Sequence, residues 1–283
     1  MDKCHLEIDI ARCMSCQNCV VATKDEYSGN EFPGYSKPYD GERGDLIVIR
    51  RRERGSGTNV DVNHVPMMCN HCDDAPCVKG AGDGAIYKRD DGLTMIDPAR
   101  SEGREELLKH CPYGAMRWNE KHRVPQIWSF DAHLLDQGHA VPRCVDACPT
   151  KALVFHRCAD EEMARLVEQN GLRVLGAALG TRPRVYYRNL HLYDAHFIGG
   201  TVTATRAGSV QNVAGATVQL RRAGETAGRT QTDDFGCFRF DGIGDGEAGY
   251  GLEIEHAKFA PRSVDIALPV TDSVNLDIEL EAG

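Results

Sequence analysis

Cys13-Met14-Ser15-Cys16-Gln17-Asn18-Cys19 is the stretch that decides how the rest of the chain is read. Thiols spaced C-x2-C-x2-C converge on one small centre only if the backbone wraps around it. In bacterial ferredoxins such a run wraps a cubane iron–sulfur cluster, and a fourth cysteine, three residues on and followed by proline, reaches a neighbouring cluster. Here that fourth position is Thr23. The motif is specific, and so is its gap.

The chain of 283 residues holds twelve cysteines, and ten of them fall between residues 13 and 158, most of them in C-x2-C-like groups or Cys-Pro pairs. In a secreted protein they would suggest disulfides. Clustered this way, behind a start (Met1-Asp2-Lys3-Cys4-His5) without the features of a secretory signal, they read as metal ligands of a cytoplasmic protein. The net charge of −9 argues against a general nucleic-acid binder. No run of roughly eighteen apolar residues marks a membrane span. The basic run Arg50-Arg51-Arg52-Glu53-Arg54 reads as a solvated strand end or a salt-bridged edge.

Four places fit the ferredoxin grammar, each incomplete. The first supplies Cys13, Cys16 and Cys19 and lacks its crossing ligand at Thr23. The second supplies Cys69, Cys72 and Cys77 and has Ala81 where a crossing cysteine would stand. The third keeps only Cys111-Pro112, and the fourth keeps Cys144 and Cys148-Pro149. Pairing first with fourth and second with third completes two quartets: Cys13, Cys16, Cys19 and Cys148, and Cys69, Cys72, Cys77 and Cys111. The missing crossing ligands are those that would have served the two stripped positions. The expectation is two [4Fe–4S] clusters and two vacated positions. Structural zinc, which also takes four cysteines, is the competing reading, but three-cysteine runs with crossing Cys-Pro pairs are ferredoxin grammar. His71 reads as a neighbour of the second centre, since that quartet is already full. Cys4, Cys158 and Cys237 have no partners at ligand spacing.

Around these groups the chain reads as α+β. Short strands are expected at 3–12, at 46–49, on either side of the Asp90-Asp91-Gly92 turn and at 152–155. Loops rich in Gly and Pro interrupt them, a helix-like segment runs from Arg104 to His110, and an amphipathic helix is expected over 160–172. Residues 181–190 read as an extended connector. After about 197 the grammar changes to short alternating strands separated by polar turns, the pattern of an all-β sandwich of about seven strands. The expected organisation is a ferredoxin-like double-cluster domain with loop insertions (1–160), a helix and connector (161–196), and a transthyretin- or immunoglobulin-like sandwich (197–283).

With these cysteines the chain resembles the iron–sulfur subunits of dimethyl sulfoxide reductase-type molybdenum and tungsten enzymes. Through Glu31-Phe-Pro-Gly-Tyr35, Ala132-His-Leu-Leu-Asp136 and Thr181-Arg-Pro-Arg-Val-Tyr-Tyr187 it is similar to the small subunits of that family's polyphenol transhydroxylases. The resemblance implies a non-catalytic electron-transfer subunit. Its partner would be a large catalytic subunit holding a bis-pyranopterin molybdenum or tungsten centre, acting on aromatic polyphenols by hydroxyl transfer, hydroxylation or dehydroxylation. It also implies a third cluster site whose ligand positions fall at Thr23, Trp128, Asp131 and Cys144, of which only the last is still cysteine. An emptied, repacked site is expected there. A subunit of another class, whose clusters only scaffold the fold, is the alternative. No nucleophile–base constellation or phosphate loop points to catalysis by this chain itself, and His133 and His139 read as packing or surface residues.

Overall fold

Lys3–Asp9 is the strand on which the first part of the chain is built. Every residue from Cys4 to Glu7, and Ile8 after them, is buried, so this short strand is covered on both faces. It lies at the centre of a three-stranded sheet. On one side it pairs antiparallel with Leu153–Cys158, from Lys3↔Cys158 to Ile8↔Leu153. On the other it pairs parallel with Val185–Arg188. The buried carboxylate of Glu7 accepts from the Arg188 guanidinium at 2.7 Å and faces His156 Nε2 at 3.1 Å, so its charge is paired rather than stranded. The segment read as a connector is thus a sheet strand. Its alternation is too short to announce this, since it spans four residues.

This computed structural model describes residues 2–57, 59–244, 249–266 and 272–282. The chain divides into two compact units, Met1–Arg51 with His64–Leu190, and Arg52–Asn63 with His191–Gly283. Two short ribbons, Ile86–Lys88 with Thr94–Ile96 and Arg117–Asn119 with Val124–Gln126, complete the strands of the first unit apart from the hairpin Val48–Ser56 and Asn59–Met67. The polar stretch 55–63 is therefore the tip and second arm of a hairpin, whose outer residues are grouped with the second unit. Glu105–His110 is a 3-10 helix. Asp160–Asn170 is the expected amphipathic helix, with three acids in its first turn facing the positive end of its dipole. Gly171, at φ 59, ends it.

The second unit contains two four-stranded sheets. In one, the long strand His196–Arg206 pairs with Ser209–Asn212, Cys237–Ile243 and, in parallel, Val274–Leu280. The other runs in the order Glu225–Gln231, Thr217–Arg222, Tyr250–His256, Phe259–Ile266. Val202, Val218, Phe238, Leu252, Ile254 and Ile278 build its apolar core. Eight strands are present among the described residues of 196–282, against about seven expected. The additional one, Glu225–Gln231, is a polar edge strand with no buried residue, so it carries no alternation to read. Within the same unit the basic run is not solvated throughout. The Arg54 side chain is fully buried, donating to Asp61 Oδ1 and Oδ2 at 3.1 and 2.8 Å and to the carbonyl of Ala195 at 3.0 Å.

Gly200 lies where the parallel strand passes closest, and a Cβ there would stand 2.1 Å from the Leu276 carbonyl oxygen. Gly200→Ala is expected to destabilise the sandwich by about 1–3 kcal/mol in denaturant unfolding, the usual cost of overpacking. In the first unit, burial and then the Arg184 charge lower the pKa of His5 from 6.5 to about 4. The unfolded chain therefore takes up a proton below pH 6.5 that the folded chain refuses until about pH 4. Stability is lost as pH falls through that window, by up to about 3 kcal/mol. Unfolding of wild type and His5→Asn at pH 7 and pH 5 checks this, with the variant expected to lack that part of the pH dependence.

Candidate metal centres

The central strand ends in a single 3-10 turn, Ile10–Arg12, fastened by Asp9, whose Oδ1 accepts from the Ala11 N–H at 3.1 Å. Cys13 follows at once, and the helix Asn18–Tyr27 begins just before Cys19. Between them the backbone turns through two left-handed residues, Ser15 (φ 58) and Gln17 (φ 64). Neither is glycine, and each such residue costs on the order of 1 kcal/mol. The second loop repeats the device, with His71 (φ 46) immediately before Cys72 as Ser15 is immediately before Cys16.

The two crossing turns also repeat one another. In Cys111-Pro112-Tyr113-Gly114-Ala115 the Ala115 N–H donates to Cys111 Sγ at 3.4 Å. In Cys148-Pro149-Thr150-Lys151-Ala152 the Ala152 N–H donates to Cys148 Sγ at 3.3 Å. The residue before each alanine is left-handed, Gly114 at φ 59 and Lys151 at φ 53. An N–H aimed at sulfur favours the thiolate. Burial alone would raise the Cys148 thiol, yet donors from Leu153, Thr150 and Ala152 leave it lowered.

Electrostatics couple Cys13, Cys16, Cys19 and Cys148 with one another, Cys144 with Cys19, and Cys69, Cys72, Cys77 and Cys111 with one another. Burial, with smaller contributions from Cys13, Cys148 and Cys16, raises Cys19 to about 11. Cys13 is raised by burial and by Cys148 and Cys16. In the second set burial raises Cys77 to about 11, with Cys111 and Cys72 next. Cys69 is pushed well above its usual range by burial, then Cys111, Cys77 and Cys72. Thiols that oppose one another's ionisation in this way suit a cationic core that all four can ligate as thiolates. Among the described residues, no three Cys, His, Asp or Glu side chains close tightly enough to grip a single ion. The loops differ in access: Cys16 is exposed and Met14 beside it is 64% exposed, whereas Cys69, Asn70, His71 and Cys72 are all buried.

His71 is saturated, so it stands beside the quartet. Its Nδ1 accepts from the Thr94 N–H at 3.0 Å, which leaves Nε2 to donate to the Trp128 carbonyl at 3.0 Å. Burial, then the Lys88 charge, lower its pKa to about 3. Four further residues, Thr181, Arg182, Arg184 and Lys88, support this loop and had no spacing signal in the sequence. Thr181 and Arg182 offer their carbonyls to the N–H groups of Asp74 and Asp73 at 3.1 and 3.0 Å. Arg184, almost wholly buried, clamps Asp73 with two hydrogen bonds of 2.6 and 2.8 Å. The Thr181 hydroxyl lies 2.6 Å from that of Tyr113 and hydrogen-bonds the Cys72 sulfur. Lys88 caps the His71 carbonyl at 3.0 Å.

The residues read as vacated ligand positions lie in buried surroundings. Thr23 is buried and donates to the Cys19 carbonyl at 2.9 Å within its own helix. Ala81 packs among Ile86, Leu107 and Ile127. Trp128 is fully buried and stacks on Phe130 with ring centroids 4.4 Å apart. Asp131 and Cys144, also fully buried, act on each other electrostatically, and Asp131 Oδ2 accepts from the Arg143 N–H at 2.8 Å. Of Thr23, Trp128, Asp131 and Cys144, only the last two are thus brought into a donor pair. Phe130 (φ 60) and Asp131 (φ 51) are consecutive left-handed residues, a strained backbone with no glycine to ease it. His133 packs on Phe32 at 3.7 Å between ring centroids and meets Glu26 at 2.8 Å, while His139 is exposed.

Residues 60–158 match the family described as 4Fe-4S dicluster domain, and residues 198–281 match the carboxypeptidase regulatory-like domain. The chain is 40% identical over 259 residues to the pyrogallol hydroxytransferase small subunit of Pelobacter acidigallici, covering 90% of this chain and 91% of the relative. It is 30% identical over 204 residues to a putative dimethyl sulfoxide reductase iron-sulfur subunit of Halobacterium salinarum, covering 65% and 78%. To the thiosulfate reductase electron transfer subunit of Salmonella typhi it is 32% identical over 162 residues, covering 57% and 79%. Among the described residues no helix is long and apolar enough to cross a membrane.

Trp128→Ala would open a cavity in the repacked position and is expected to cost about 3–5 kcal/mol. Anaerobic denaturant unfolding measures the loss. Iron content should stay at the wild-type level, because no donor to either quartet is removed.

Proposed function

This chain belongs to the iron–sulfur small subunits of the dimethyl sulfoxide reductase-type enzymes, and from that premise we propose that it carries single electrons on two [4Fe–4S] clusters. Cys13, Cys16, Cys19 and Cys148 hold one, and Cys69, Cys72, Cys77 and Cys111 hold the other, in a ferredoxin-like arrangement with loop insertions. Its partner is a large catalytic subunit that holds a bis-pyranopterin molybdenum or tungsten centre. The observation that carries this reading is the doubled design of the site: two loops turned by a left-handed residue before a cysteine, and two Cys-Pro turns that each aim an alanine N–H at sulfur.

Bound clusters supply one-electron chemistry. The chain's own contribution is to position eight sulfurs, exclude water from the second loop and donate hydrogen bonds to Cys72, Cys111 and Cys148. The substrate class follows from the similarity to the Pelobacter acidigallici subunit, whose name specifies pyrogallol. The complex acts on an aromatic polyphenol, by hydroxyl transfer, hydroxylation or dehydroxylation, with the chemistry in the large subunit. Hydroxyl transfer is redox-neutral overall. A chain in which Trp128 and Phe130 fill the third position has one fewer stop for outgoing electrons, which favours that neutral reaction. The sandwich serves as a contact or stabilising domain, and the complex works in the cytoplasm.

Anaerobic iron and sulfide quantitation, with EPR of the reduced protein, tests the assignment. About eight irons are expected, and Cys77→Ser should remove one cluster's signal while leaving the other. Near twelve irons would mean that Asp131 and Cys144 still bind metal, and zinc in place of iron would overturn electron transfer. Clusters that exchange no electron with the metal centre of the large subunit would leave them the role of scaffold.

A further inference from the structure

A lysine is built into the wall of the second centre. Lys88 ends the strand Ile86–Lys88 opposite Thr94, and its side chain is 24% exposed. Its Nζ reaches three acceptors: the His71 carbonyl at 3.0 Å, the Gly92 carbonyl, and Thr94 Oγ1 at 3.3 Å. A neutral amine has two N–H groups and a lone pair, whereas an ammonium has three donors. Lys88 as an ammonium donates to all three, and the Asp73 charge opposes the lowering of its pKa that burial causes.

That cation lies within electrostatic reach of Cys69 and Cys72. The nearest carboxylate, Asp73, is 3.9 Å from Nζ, but its two oxygens are already clamped by Arg184. The field of Lys88 is thus shared between Asp73, the stronger of its partners, and the Cys69 and Cys72 sulfurs. At the first centre Arg12 and Lys151, which flank Cys13 and Cys148 in sequence, are exposed, where water screens them.

We propose that Lys88 raises the reduction potential of the cluster held by Cys69, Cys72, Cys77 and Cys111, and so makes that cluster a favoured resting place for an electron. This rests on the two-cluster reading above. Reduction adds one electron and one negative charge to the centre, with no bond made or broken and no proton taken up. A fixed cation nearby stabilises the more negative state, so removing it lowers the potential.

The test is an EPR-monitored redox titration, with a chemical reductant and mediators, of the subunit complexed with its large partner. Lys88→Met, Lys88→Gln and Lys88→Arg are compared with wild type, and Cys77→Ser identifies which signal belongs to the second centre. In Lys88→Met that signal's midpoint should fall and the other should stay, with iron content unchanged. Lys88→Arg, which keeps the charge, should restore the midpoint. If Lys88→Met loses iron, the decision passes to Lys88→Gln, which retains a donor without the charge. A lowered midpoint restored by arginine supports the role. An unmoved midpoint in a fully loaded neutral variant, or equal shifts in both signals, overturns it while leaving the cluster assignment standing. Wild-type protein without a second cluster would instead overturn the assignment itself.

Discussion

Taking cysteine sulfur out of water is the constraint on which the first unit depends. Burial first, and neighbouring sulfurs after it, raise the proton affinity of Cys13, Cys19, Cys69 and Cys77, and a bound cationic core would reverse that. The fold answers by bringing each set together from two distant parts of the chain. The loops accept left-handed backbone at Ser15, Gln17 and His71 to aim their cysteines, and each crossing turn adds an N–H donor to sulfur. The three-stranded sheet can be understood in the same terms. Its central strand delivers Cys13, and the antiparallel neighbour beginning at Leu153 follows directly from the turn that presents Cys148.

The two centres are alike in backbone design and unlike in surroundings. The first faces outward through Met14 and Cys16, and the second lies under His71, Lys88 and the segment from Thr181 to Arg184. Between the loops, the repacked position contributes aromatic rings: Phe130 meets the His71 ring at 4.7 Å between centroids and stacks on Trp128. A position that the family resemblance marks for a cluster is here a packed core, yet Phe130 and Asp131 keep a strained backbone there.

Much of this was legible in the sequence because cysteine spacing is a direct record of ligand geometry. The grouping of the cysteines, the gap at Thr23 and the change of grammar near residue 197 can be read from residue type and interval, whereas Trp128 and Asp131 were marked only by the family resemblance. What escaped were features without an interval. Lys88 looks like any strand-end lysine until Thr94 and Gly92 are folded against it. Val185–Arg188 is too short to show alternation, and Glu225–Gln231 is an edge strand without a buried face. Arg54 sits in a basic run read as a solvated strand end or a salt-bridged edge, and it is the second, with Asp61 on the other arm of the hairpin, that holds, though its full burial had no local signal. Tertiary pairing decided each of these cases, and local pattern could not.

The register of the central strand also sets a timetable. Lys3 lies opposite Cys158, so this strand can complete its antiparallel pairing only after the chain through residue 158 has left the ribosome. The segments that bear Cys69 and Cys111 lie wholly inside that interval. Inner contacts can therefore form before outer ones, and the chain closes from the inside outward, with the costlier long loop shut last. Until then the N-terminal thiols remain accessible, which gives iron–sulfur delivery a window that the finished fold removes for the buried ones.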